Sequence, residues 1–306
     1  MATRSPSLRG GGAAALARPP VGTRRAAGTG RRRRRGVETL TVIAAFVRRD
    51  WTLARSYKLP FAVEIFQSLV SLVMVFYLSR LVHPSLAGEG AAALRAGYFP
   101  FAVVGLGLLT ILTVALITFA ARLRTDQTTG TLEALMATPT SPSLIILASA
   151  SYELLYSTVS AALMFVLAIG IFGLRFDVKP LGIPLLVVAL VASVLVFAAV
   201  GVAFAAFIIV FKKGGSLLTF GGGALSLLGG VYFPVSLLPG PVAAVARALP
   251  LTQAANIFRD ILLFGKVPYL ATGYLALSAV VLLPLGLWIF ESAIRRSRRA
   301  GTLGQY

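Results

Sequence analysis

The chain has 306 residues, 57% of them hydrophobic and only 13% charged, with a mean hydropathy of +0.86; so much apolar surface argues against a soluble domain and for an integral membrane protein. Cysteine is absent and His83 is the single histidine, which removes disulfides, thiol chemistry and cysteine metal sites and argues against histidine-based ones. The net charge is +19, and residues 1–36 hold ten arginines and no acid; beside a membrane that composition reads as a disordered basic cytoplasmic tail attracted to anionic lipid, not as a nucleic-acid-binding arm.

Nothing before Val37 reads as structured, so 1–36 is either such a tail or an over-extended reading frame. The Arg31–Arg35 run precedes an apolar stretch, as in an export signal. Arg48, Arg49 and Asp50 interrupt that stretch, and no small-residue cleavage site follows. Residues 38–58 read instead as an amphipathic helix lying in the membrane interface. Leu40, Ile43, Val47, Trp51 and Ala54 share one face, while Arg48, Thr52 and Arg55 fill the other. Asp50 breaks the apolar side.

A helix needs about 20 apolar residues to cross the hydrocarbon. Six stretches qualify: 61–82, 98–121, 154–174, 181–211, 216–235 and 267–294. Cations orient them. Clusters at Arg48-Arg49, Arg122 with Arg124, Lys212-Lys213 and Arg295-Arg296 fall on one side, taken as cytoplasmic, whereas the other side carries scattered cations such as Arg80, Arg95 and Arg175. Six spans leave both termini in the cytoplasm. Residues 37–306 then form one all-α, six-helix membrane domain.

The insert between the second and third spans is polar and patterned. Arg122 and Arg124 mark its cytoplasmic boundary, Gly130 interrupts, and Thr131 can cap a short helix. Leu132, Leu135 and Met136 fall at i, i+3 and i+4 and make one apolar stripe beside Glu133. Pro139 and Pro142 are read as the stop of that helix. The stripe packs either on the protein's own span ends or in a groove of a partner.

Glu153 is placed at the inner start of the third span. It is either a boundary residue or, with Ser149, Ser151 and Tyr152, a polar entry for substrate. Glu64 lies one turn into the first span, and Glu291 stands one turn before Arg295 as a surface pair. Gly222, Ser226 and Gly230 recur at four-residue steps and predict a close helix contact. Between the fifth and sixth spans the segment is apolar and punctuated by Pro234, Pro239, Pro241 and Pro250. Short helices dipping part-way into the outer leaflet satisfy both its apolarity and its backbone groups.

Two segments carry a family likeness. Gly130-Thr-Leu-Glu-Ala-Leu-Met-Ala-Thr-Pro-Thr-Ser141 resembles the cytoplasmic coupling segment of ATP-binding-cassette type-2 exporter permeases of the drug- and antibiotic-export kind. Phe233-Pro-Val-Ser-Leu-Leu-Pro239, Leu249-Pro-Leu-Thr252 and Phe258-Arg-Asp-Ile-Leu262 resemble the extracellular re-entrant region of the same family. The resemblance covers about residues 38–295.

It implies a homodimer, or two like permeases, in the plasma membrane of a bacterium. It also implies separate ATPase subunits that dock on Gly130 to Pro139, with Arg124 and Glu133 as polar contacts. Phe233, Pro234, Pro239, Pro250 and Arg259 would form the extracellular gate. ATP and Mg would be bound by the partner and no cofactor by this chain, because no phosphate loop is present: Gly265-Lys266 is followed by Val267. The cargo implied is a small hydrophobic or amphipathic molecule. Export of lipid-linked polysaccharide or another lipid is the rival within this mechanism, and a non-transporting membrane scaffold is the rival outside it.

Overall fold

The computed structural model describes residues 41–52, 59–81, 94–128, 141–211 and 215–299, and all regular structure among them is helical. Helix α1 covers 41–52. Then follow α2 (Leu59–Leu81), α3 (Tyr98–Thr128), α4 (Pro142–Phe172), α5 (Gly182–Phe211), α6 (Gly215–Leu228), a 3-10 turn (Val235–Leu237), α7 (Gly240–Ala248), α8 (Pro250–Phe264) and α9 (Tyr269–Arg299). Five of these, α2, α3, α4, α5 and α9, are long and apolar enough to cross a membrane.

The predicted fifth span, 216–235, is shorter than expected. Its helix α6 has 14 residues, about 21 Å at 1.5 Å per residue, against a hydrocarbon thickness of about 30 Å. The helix stops because Gly230 turns the chain at φ +68, a conformation that glycine adopts without penalty. The third span also differs: its helix begins at Pro142, not at Leu154. Pro142 occupies the first turn of α4, where its missing N–H costs nothing, so it starts this helix. Helix α3 likewise runs past Arg122 to Thr128. With 31 residues each, α3 and α4 are about 46 Å long and outreach the hydrocarbon.

Side-chain contacts set the direction of each helix. Phe76 of α2, Phe99 of α3 and Phe172 of α4 meet with ring centroids 5.1–5.6 Å apart. Gly107 of α3 faces Phe165 of α4, and Arg122 reaches Glu153, so α3 and α4 are antiparallel. Gly182 at the start of α5 packs on Ile261 of α8, Arg259 of α8 reaches Phe101 at the start of α3, and Glu291 near the end of α9 meets Ser143 at the start of α4, so α3, α5 and α9 run the same way. One end of the bundle therefore carries α1, Arg122 and the last turns of α9. The other carries the 3-10 turn, α7 and α8.

Helix α3 is the centre: 67% of its apolar window is buried, against 11% of that of α2. The exposed face of α2, with Phe66, Met74 and Tyr77, is a lipid-type surface. In a bilayer apolar burial drives helix association little, and close approach of small residues takes over. A Cβ on Gly201 would stand 2.5 Å from the Ala115 carbonyl oxygen, and one on Gly286 2.8 Å from that of Ala199. The close contact predicted at Gly222 is not made among the described residues, where a Cβ at that position meets nothing within 4 Å. Gly221 and Gly229 pack instead, on Phe204 and Leu251.

Candidate functional site

At the Arg122 end three elements are joined by charge. Asp50 of α1 is buried, although it follows Arg48-Arg49 in sequence. Its Oδ1 accepts from Arg49 Nε at 2.7 Å and its Oδ2 from Arg122 Nη2 at 3.1 Å. The same Nη2 donates to Glu153 Oε1 of α4. One guanidinium thus bridges carboxylates from α1 and α4, while Glu153 Oε2 is buried without a hydrogen-bond partner among the described residues. Two acids share this cation, so removing it leaves Glu153 without its partner and Asp50 with Arg49 alone.

This geometry corrects the reading of α1. The helix turns Asp50 toward the protein, with Ile43, Phe46 and Val47 half-buried beside it, and leaves Trp51 55% exposed. Asp50 belongs to the packed face because Arg122 satisfies it there. Trp51 and the exposed Arg48 are left for the surroundings, as headgroup-depth residues are. Arg49 also lies over the Phe46 ring at 4.8 Å.

Glu153 is well inside α4, not at its start. The hydroxyls of Ser149 and Ser151 donate to the carbonyls of Ile146 and Leu147 of their own helix, so they are spent within α4. Tyr152 and Tyr156 stack at 6.2 Å, and Tyr156 lies near Glu64 of α2. Ser143 Oγ donates to Glu291 Oε1 at 2.6 Å, and Arg295 Nη1 to Glu291 Oε2 at 3.3 Å; this second clasp ties α4 to α9 at the same end. Arg124 is exposed on the last turns of α3. Gly130, Thr131, Leu132, Glu133, Leu135, Met136 and Pro139, together with Arg55, lie outside the described residues.

At the opposite end, short helices stand where the prolines predicted them. Pro239 precedes α7, and Pro250 opens α8. Phe233 is half-buried, Pro234 buried and Pro239 exposed. Arg259, expected among the gate residues, is 96% buried. Its Nε and Nη2 donate to the Phe101 carbonyl at 3.2 and 3.1 Å, and Nη2 donates to the Gly230 carbonyl at 2.8 Å. The guanidinium carbon stands 3.4 Å from the Phe101 ring centroid. Burial lowers its pKa to about 9, so the side chain stays charged at neutral pH. A faint sequence signal exists for this burial: Thr252, Ala255, Arg259 and Leu262 share one face of α8, and all are buried.

No group of three or more metal-ligating side chains occurs among the described residues. Long apolar helices packed around a central α3 define a multi-pass membrane protein. A family model described as ABC-2 type transporter matches residues 41–263, and the chain belongs to that family. No curated protein matches it. It is thus a membrane permease of the ABC-2 type, a domain without an ATPase of its own, and permeases of this type pair with ATP-binding-cassette ATPase subunits.

Proposed function

We propose that this permease is the membrane subunit of an exporter that moves a small hydrophobic or amphipathic, drug-like molecule outward. ATP and Mg are held by a separate ATPase, and two permease copies form the pathway. The observation that carries this reading is the Asp50–Arg122–Glu153 node. It couples an interface helix to α3 and α4, the two helices that flank the Gly130–Pro139 segment. A push on that segment is delivered to α1, α3 and α4 together.

The Arg122 end is cytoplasmic in this reading. Although α6 is short, it starts four residues beyond the Arg122-end terminus of α5, and the Gly230 carbonyl that follows it meets Arg259 beside Phe101 at the other end. It therefore supplies the sixth crossing and returns the C-terminus to the cytoplasm. The extracellular gate is then the segment of Phe233, Pro234, Pro239, Pro250 and Arg259. Glu153 guards the inner entry, held by Arg122 until α4 moves.

The test is co-reconstitution with the partner ATPase in inside-out vesicles, followed by uptake of fluorescent hydrophobic dyes. ATP-dependent dye accumulation supports the reading. Movement of a lipid-linked saccharide but of no dye redirects the cargo, and ATP hydrolysis without movement of either overturns export.

A further inference from the structure

We infer that Arg259 is a positioning residue that locks α8, the Gly230 turn and the start of α3 into one body, so that this part of the gate moves as a unit. The inference rests on the exporter reading only for the word gate; the lock itself stands on geometry. Three elements far apart in sequence converge on one guanidinium: α8, which carries it, the turn that ends α6, and the second turn of α3.

The bonds go to main-chain oxygens, not to an acid. The neighbouring carboxylate, Asp260, pairs with Lys266 instead, at 3.1 Å. Val231 carbonyl oxygen lies at 3.5 Å from the same Nη2. A buried cation without a counter-ion persists only where dipoles and an aromatic face replace its water. Here the carbonyls of a glycine turn need donors that no helix supplies, and the planar fork of arginine serves two chain segments at once. Lysine carries its three donors on one nitrogen with a shorter reach, so it forgoes the Nε bond to Phe101 and meets the two oxygens less closely.

Gly105 gives an independent indication of the fit. A Cβ at that position would lie 2.9 Å from Arg259 Nη2 and 2.9 Å from both the Cα and the carbonyl oxygen of Val231. The α3 backbone therefore has to be bare where the guanidinium and the turn press against it. The helix end of α8 is fastened separately, by Asp177 N–H donating to the Leu262 carbonyl at 2.9 Å, so loss of Arg259 frees the turn and α3 without releasing α8 entirely.

The experiment is amide hydrogen exchange on the full chain in nanodiscs, comparing wild type with Arg259→Gln, Arg259→Lys and Gly105→Ala. Arg259→Gln is expected to speed exchange across residues 229–235 and at the start of α3 by about tenfold or more, with α5 and α9 unchanged. Arg259→Lys should fall between Gln and wild type. Gly105→Ala keeps the cation but displaces it, and should reproduce the Gln pattern even if Arg259→Gln fails to fold. With the ATPase present, these variants should lower the maximal transport rate and leave the substrate KM unchanged. Unaltered exchange at the turn in Gly105→Ala and in either folded Arg259 variant overturns the lock. If wild type moves no cargo, the exporter reading fails while the exchange result still judges the lock.

Discussion

The Asp50 carboxylate meets the Arg122 guanidinium at 3.1 Å across 72 positions of sequence. This contact converts an amphipathic surface helix into a part of the bundle. The Asp50 side chain is 7% exposed, whereas Arg122 keeps 33% exposure, so the acid depends on the arginine more than the arginine on the acid. Arg122→Ala leaves Glu153 without its cation and Asp50 with Arg49 alone, and should cost about 2–3 kcal/mol, less than a fully buried pair because water reaches the arginine. Asp50→Asn leaves the Glu153 contact and should cost less. Thermal unfolding in nanodiscs measures both, and equal losses would remove the shared-cation account.

The Gly130–Pro139 segment has its own test. Changing Leu132 and Leu135 together to Asp places charge on the apolar stripe and should abolish co-purification with the ATPase while membrane insertion persists. Undiminished co-purification would take the docking role away from this segment.

Glu153→Gln keeps the volume and removes the charge that Arg122 grips. The expected result is a changed preference among exported dyes, with cationic ones affected most. Identical transport of every dye by the variant would return Glu153 to a structural partner of Arg122 alone.

Helix spacing gives a stability prediction. Gly201→Val forces a side chain against the Ala115 carbonyl and the Phe119 ring and should cost about 1–3 kcal/mol. Gly170, where a Cβ meets nothing within 4 Å, should accept Ala within about 0.5 kcal/mol. Equal melting temperatures for the two variants would contradict the tight α3–α5 contact.

The long apolar helices were legible residue by residue, because hydrocarbon thickness imposes a length that composition alone reveals. Leu59–Leu81, Tyr98–Thr128, Gly182–Phe211 and Tyr269–Arg299 lie close to the stretches read from the chain. The start of α4 was missed because Pro142 was given a terminating role, although proline suits a first helical turn equally well. The early end of α6 was missed because hydropathy runs on through Val231 to Val235, while the left-handed turn at Gly230 leaves no trace in an apolar count.

Composition and periodicity thus decide that this protein lives in a bilayer and which stretches are helices, since both follow from local chemistry and a fixed repeat. Neither could place Asp50 on Arg122, or Arg259 on the carbonyls of Phe101 and Gly230. A charge in apolar surroundings is tolerable only with partners, and those partners come from helices that sequence keeps far apart and packing alone brings together.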